Sequence, residues 1–560
     1  MQKNGSILVV FGEELPKGGL NQYDTVLSGA ELQKLIEPGS IYEASAFTEK
    51  LSHLKLPNGV SLPKSFIYQG YELWWMYYYS LFYYFSLPYI QHKRLLEYLK
   101  GFQNIYFYRP PYKSLFSYYL EAHGCKVDTL REPGFKSPSF LPFGIFVQIL
   151  ITCLSIPILM IRKQSRMIFV GDKFEKDKDY DFRMRYIYQE LRQRKLGFVE
   201  FIRSLESWKA VLQHALIRRR PVIYSEAVAF VGKFFSVFSS RPNLSISEQD
   251  PEALFKLLVA THYIKNVYDD IWAIRIMRWI LSMAGIKAAF IAAANERNFH
   301  AVLGCKLNNI PTVGILHGVA SRYYNGYDFL PGFSGEKMLS VDKYGLWSEW
   351  WKEYYVKYSD AYKPEQLYVS GPMRPLEKST DNRRPTTNNT GPVKVLFVSE
   401  QPALPLEVMP YLETLLDRPD VELSMTFRQY RDAFKDWLVE HRPDFLKRDD
   451  IKIVEGGLQE AIGASEVVVG AHSTVVLEGL FQLKVPLFFK TEKWGDYFDL
   501  KDYDKEHSFF AENPDEFIKK IKNVRTVSVD ILKDLQKRYF GDPYKNGSKW
   551  VVDELEEYLK

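Results

Sequence analysis

Three consecutive side chains, His472, Ser473 and Thr474, sit in a turn suited to hold a phosphate. Before them run Val467, Val468 and Val469, a β-branched stretch long enough for one buried strand. Gly470 and Ala471 then let the chain turn tightly, and residues 475–481 read as a helix. A helix opening at Ser473 or Thr474 has a hydroxyl cap to hand, and its first N–H groups have no partner within the helix. With the positive end of the helix dipole, those amides suit an anion at the carboxyl edge of a parallel sheet. His472 could donate to the same phosphate, and Glu478, one turn in, could accept from ribose hydroxyls. The same residues also read as a capped helix with a surface histidine and a solvated glutamate.

Other residues able to bind ligands or move protons fall where strands are predicted to end. The strand at 287–293 is followed by Asn295, Glu296, Arg297, Asn298 and His300, and the strand at 312–316 by His317 and Gly318. The strand at 393–398 runs into Ser399, Glu400 and Gln401, and that at 422–427 into Arg428, a candidate for a diphosphate. Gly371 permits close backbone approach, and Arg374 could reach a phosphate. Ligands of open α/β sheets sit outside the carboxyl ends of the strands, so these positions share one kind of place.

Alternating strand and helix patterns predict an α/β chain in several units. Residues 1–135 read as an α/β domain, with a helix at 20–35. Residues 136–165 form an apolar connection, and 166–377 a second α/β unit that includes an Arg- and Tyr-rich helix at 180–194. The polar, low-complexity stretch 378–392 is a linker, and 393–560 form a third α/β unit ending in a helix at 550–559.

The segment 466–489, with its small-residue turn, His-Ser-Thr, a Glu in the next helix and the strand KVPLFF, resembles the nucleotide end of GT-B glycosyltransferases. It is similar also to the matching segment of the CDP-glycerol glycerophosphotransferases of teichoic-acid synthesis. IPTVGILHG, residues 310–318, resembles the P-x-x-x-x-x-HG segment of the same families, and LYVSGPMRPLE, residues 367–377, looks like their V-x-G-x-P/R turn. GLQEAIGASEVVVG resembles their L-x-x-x-x-x-A-D segment, with Ser465-Glu466 where Asp is usual. The resemblance spans roughly residues 285–500, and nothing comparable precedes it.

The resemblance implies two facing Rossmann-like lobes, preceded here by an extra N-terminal α/β domain. The third unit would hold a nucleotide-sugar donor (CMP-, UDP- or dTDP-linked) through His472, Ser473, Thr474 and Glu478. Gly371, Arg374, Ser399, Glu400, Gln401 and Arg428 would line the donor site. The acceptor, a surface polysaccharide or lipid-linked glycan, would lie by Asn298, His300 and Gly318, with Glu296 and His317 as catalytic residues. A carboxylate or imidazole there can take the proton of an attacking hydroxyl. A glycerol- or ribitol-phosphate transferase is the alternative, and it departs from the pattern: this chain has HGV for HGT and GAHST for TDYSS. The His-Ser-Thr turn is similar as well to motifs of sialic-acid and Kdo transferases. A non-catalytic scaffold of a polysaccharide assembly complex is the third reading.

Composition narrows the class further. At 560 residues the chain is long enough for two to four domains. A net charge of +5 gives no reason to invoke nucleic acid. Cys125, Cys153 and Cys305 are far apart, without a CxxC or Cys/His cluster, which fits a reducing cytoplasm and no zinc. No Walker loop, GxGxxG or DxD motif occurs; Asp269-Asp270 and Asp449-Asp450 are adjacent pairs, so neither metal nor resident cofactor is expected.

Two apolar stretches need separate readings. Residues 71–90 are aromatic on every helical face and read as a buried helix, with a glycan-stacking or membrane-interface surface as the alternatives. Residues 141–161 carry no charge and have the length of a spanning helix, and Arg162, Lys163 and Arg166 follow. A span would put two cytosolic-looking halves on opposite sides. A helix lying in the inner leaflet and kinked at Pro157 fits better, with a buried helix between domains as the other reading. Basic runs at 183–185, 192–195 and 218–220 could meet anionic headgroups, and solvated charged helix faces explain them as well. The expected location is therefore cytoplasmic, peripheral on the inner face of the membrane.

Overall fold

The computed structural model describes residues 3–11, 20–56, 59–110, 120–121, 124–130, 141–162, 167–171, 184–203, 208–218, 221–239, 251–292, 298–318, 321–322, 327–374, 391–400, 403–428, 432–491, 496, 500 and 509–560. Three parallel sheets organise the chain. The first has four strands, β1 (Lys3–Val10), β2 (Thr25–Leu27), β3 (Phe102–Tyr108) and β4 (Lys126–Leu130), in the order β2-β1-β3-β4. The stretch predicted as a helix at 20–35 instead contains β2, and the helix is confined to Gly29–Ile36. β-Branched Thr25 and Val26 pair with β1, and Asp24 holds the entry by accepting from the Ser6 N–H at 2.6 Å.

Between β2 and β3 lies the aromatic segment. Leu73–Met76 form a 3₁₀ turn, followed by short helical pieces that continue to Leu99. Trp74 and Trp75 are fully buried; their indole N–H groups donate to Ser52 Oγ (3.0 Å) and Glu72 Oε2 (2.9 Å). Neither ring has a face open to a glycan. The segment packs edge-on against Tyr263, so the N-terminal unit shares its core with the unit that follows.

The second sheet has seven strands: β5 (Met167–Gly171), β6 (Phe198–Ile202), β7 (Val222–Tyr224), β8 (Ala288–Ile291), β9 (Thr312–Ile315), β10 (Lys343–Leu346) and β11 (Leu367–Val369). Their order is β11-β10-β9-β8-β5-β6-β7, all parallel. Around it lie α1 (Leu141–Arg162), α2 (Arg185–Gln193), α3 (Trp208–Arg218), α4 (Ser225–Ser236), α5 (Pro251–Met283), α6 (Asn298–Lys306) and α7 (Glu349–Tyr358). Gly232 of α4 lets two helix backbones touch, because a Cβ there would stand 2.7 Å from the Ala273 nitrogen of α5.

The third sheet has six strands: β12 (Val393–Val398), β13 (Val421–Thr426), β14 (Ile451–Val454), β15 (Val467–Gly470), β16 (Val485–Phe489) and β17 (Phe510–Ala511). The order β14-β13-β12-β15-β16-β17 is the doubly wound 3-2-1-4-5-6 arrangement, and the second sheet contains the same order with one further strand. Every residue of β15 and β16 is buried, which is why they read as continuous apolar runs. The helices that matter here are α8 (Ala433–His441), α9 (Thr474–Glu478), α10 (Val529–Phe540) and α11 (Gly547–Glu557). By sequence α11 belongs to the third unit, yet Val551, Val552 and Leu555 pack with Phe290, Val313 and Ile315 of the second sheet.

Candidate functional site

In a doubly wound sheet the reversal of strand order leaves a crevice outside the carboxyl ends of the first and fourth strands. In the third unit those strands are β12 and β15, which end at Val398 and Gly470. The crevice is therefore bordered by Ser399 and Glu400 on one side and by Ala471, His472, Ser473 and Thr474 on the other. The donor residues proposed from sequence at these two turns are brought together by the fold.

Their side chains do different things. Ser473 caps α9, its Oγ accepting from the Val475 N–H at 3.3 Å. The helix has a single α-turn and passes into a 3₁₀ turn at Gly479–Gln482, so its anion affinity rests on its first amides more than on a long dipole. His472 is buried and turned inward: Glu400 accepts its backbone N–H at 2.7 Å and lies 3.3 Å from Nδ1, while Nε2 faces Thr491 Oγ1 at 3.3 Å. It thus braces the turn from within, and the expected contact with a phosphate would need the ring to leave these partners. Glu400, expected over the donor, is taken up by the same bond.

Ser399 is likewise buried and donates to Asp432 Oδ1 at 2.8 Å. Asp432 also accepts from the Arg428 N–H (2.7 Å) and caps α8 through the Lys435 N–H (2.9 Å). Arg428 is exposed at the end of β13 beside this carboxylate. Asp432 was not singled out from sequence. Its only signal there is a carboxylate at a helix start, and its partners come from two other strand ends. Gln401 lies outside the described residues.

Across the gap stand residues of the second unit. A Cβ added at Gly318 would lie 3.8 Å from Thr474 Oγ1. Arg374 Nη1 stands 3.8 Å from Glu478 Oε2. Removal from water pushes the Glu478 carboxyl above its ordinary value, while Arg374, a hydrogen bond from Gln459 and the more distant Arg185 pull it back. Arg185, at the start of α2, is near enough for its charge to act on Glu478, and in sequence it belonged to a basic run for which lipid headgroups and solvent were both open. One guanidinium group of the second unit, that of Arg374, thus meets the carboxylate that closes α9 of the third.

Gly371 has a different reason from the one expected. Its φ is +79°, and a Cβ there would meet Lys545 Cβ at 2.4 Å, so the close approach is with the returning C-terminal segment, not a ligand.

On the acceptor side His317 is exposed just past β9, beside Gly318. Glu296 lies in 293–297, outside the described residues. Asn298 opens α6 and is buried. His300 is buried, with Nε2 2.7 Å from Asp270 Oδ1, and Asp270 in turn accepts from the Tyr77 hydroxyl. His300 therefore ties α6 to α5 and to the aromatic segment, where an open acceptor contact was expected. Among the described residues no group of three or more His, Cys, Asp or Glu side chains is arranged to hold a metal ion.

No family model matches this chain, and no curated protein matches it. Among solved structures, an S. aureus MnaA–UDP co-structure is 12% identical with a TM-score of 0.41, covering 70% of this chain and 97% of that one. A glycosyltransferase from Rickettsia africae is 12% identical at 0.38, covering 71% and 99%. Anabaena HepE in complex with UDP and glucose is 10% identical at 0.39, covering 70% and 98%. Likenesses of this strength assign the chain to no family.

Proposed function

We propose that this chain is a glycosyltransferase that moves a sugar from a nucleotide-linked donor to a polysaccharide or lipid-linked glycan acceptor, without a metal. The observation that carries the reading is the convergence at the switch crevice of the third sheet. The start of α9 at Thr474 lies against Gly318 of the second unit, and Arg374 of that unit stands 3.8 Å from Glu478 at the other end of the same turn. A diphosphate is the ligand whose charge matches this set, since fixed N–H donors and guanidinium groups can neutralise a leaving phosphate as a metal would. In this reading Glu478 accepts from the ribose hydroxyls once donor draws Arg374 away from it.

His317, exposed at the end of β9 and next to the Gly318–Thr474 approach, takes the proton of the acceptor hydroxyl as it attacks the sugar. His472 and Glu400 hold the turn in shape, and Ser399, Asp432 and Arg428 hold the neighbouring loop.

Melting the protein with CMP, CDP, UDP, dTDP and GDP in turn tests the reading. One nucleotide should raise Tm, because a ligand at a hundred times its Kd adds about 2.7 kcal/mol of stability. Arg374→Ala should shrink that rise, and His317→Ala should keep it while losing sugar transfer. If no nucleotide moves Tm, the transferase reading fails and a scaffold role takes its place.

A further inference from the structure

Helix α1 is built inside out. Its polar residues Gln148, Thr152 and Ser155 are buried, whereas Phe146, Leu150 and Ile161 are between 59% and 81% exposed. The reason is the sheet edge beneath it. β7 is the last strand of the second sheet, and its outward N–H groups need partners. Thr152 Oγ1 accepts from the Tyr224 N–H and Ser155 Oγ from the Val222 N–H, both at 3.1 Å. The hydroxyls therefore point in, and the apolar stripe is left to point out.

The stripe is not confined to one helix. α3 and α4 pack beside α1. Leu212 and Leu216 of α3 are exposed one turn apart, and Phe230 and Phe234 of α4 form a second exposed stripe, with Phe238 exposed in the turn just past its end. Exposed apolar stripes on three helices that pack together are more than a lone exposed side chain, and they mark a surface that meets something. The exposed charges described on these helices, Lys209 and Lys233, are basic. The one acidic residue on them, Glu226, is buried.

We propose that this face seats on the headgroup–acyl boundary of an anionic lipid bilayer, with α1 lying in the membrane plane. Exposed phenylalanine and leucine together with exposed lysine on the same helices is the composition of an interfacial docking face. A spanning role is incompatible with the bonds just described. Lifting α1 into a bilayer would strip the β7 edge of its partners and carry the inward Gln148, Thr152 and Ser155 into hydrocarbon. The proposal stands independently of the transferase reading, because none of these residues belongs to the inter-unit site.

A native reporter is at hand: Cys153 on α1 is exposed, whereas Cys125 and Cys305 are buried. Cys153 labelled with an environment-sensitive fluorophore should blue-shift on adding vesicles of mixed phosphatidylcholine and phosphatidylglycerol, and less so with phosphatidylcholine alone. The unlabelled full chain should co-sediment with the mixed vesicles. The double variant Leu150→Asp, Phe234→Asp, altered only at exposed positions and checked by an unchanged melt, should lose about a hundredfold in vesicle partitioning. No shift and no sedimentation with either vesicle, or undiminished partitioning of the double variant, would overturn the proposal. So would a blue shift without lipid that follows protein concentration and disappears in the double variant, since a second copy would then be the occupant.

Discussion

A single carboxylate holds two of the loops at the candidate site. Asp432 is buried and accepts three hydrogen bonds, from Ser399 Oγ, the Arg428 N–H and the Lys435 N–H. Removing it leaves two buried or partly buried donors and a helix start without their acceptor, which costs about 3 kcal/mol in total. Asp432→Ala should therefore lower the denaturant midpoint by that amount and diminish any nucleotide-induced rise in Tm, while Asp432→Asn should retain part of both. A loss under about 1 kcal/mol on equilibrium unfolding would show that the node does not hold these loops. At this scale the sequence was informative where the cause is local and silent where it is distant. The Ser473 cap follows from one turn and one helix start. The inward turn of His472 depends on Glu400 and Thr491, which reach it only once β12, β15 and β16 are laid side by side.

At the scale of elements, the passage from β11 through Gly371 to the return of the C-terminal segment is the tightest crossing between units. Gly371 is held at φ +79°, a Cβ at Gly547 would stand 2.5 Å from the Gly371 carbonyl oxygen, and the Gly547 N–H donates to the Pro372 carbonyl at 2.9 Å. Gly371→Ala combines backbone strain with a clash against Lys545, and about 3 kcal/mol or more is expected. Ala at Gly456, also at positive φ but with nothing within 4 Å of its Cβ position, isolates the backbone part and should cost about 1 kcal/mol. Chemical denaturation of the two variants checks the difference, and equal losses would remove the crossing as the cause. Strands and helices of the third sheet were legible because buried parallel strands are unbroken apolar runs. β2 was missed because three residues of strand carry too little pattern of their own, and pairing with β1 decides the matter.

Over the whole molecule, the C-terminal stretch from α10 onward reverses the simple picture of units joined by a linker. α10 packs on α7 through hydrogen bonds from the Trp351 indole to the Tyr539 carbonyl (2.9 Å) and from Ser348 Oγ to the Arg538 carbonyl (2.6 Å), with Trp347 stacked on Phe540. α11 then buries Val551, Val552 and Leu555 in the core of the second sheet, worth about 6 kcal/mol at roughly 2 kcal/mol per side chain. Arg194 of the second unit adds ion pairs to Asp553 (2.6 Å) and Glu556 (2.5 Å), which, being partly exposed, set register more than strength. The covalent link through 378–392 is therefore dispensable for association. A protease site engineered into that stretch should, once cut, leave two fragments that co-elute in size exclusion and melt together. Adding Val552→Asp and Leu555→Asp should let the fragments separate, because two buried charges without partners would outweigh the remaining contacts. Fragments that part without those substitutions would mean that the linker, not the returned helix, holds the two walls of the crevice at the spacing seen between Gly318 and Thr474.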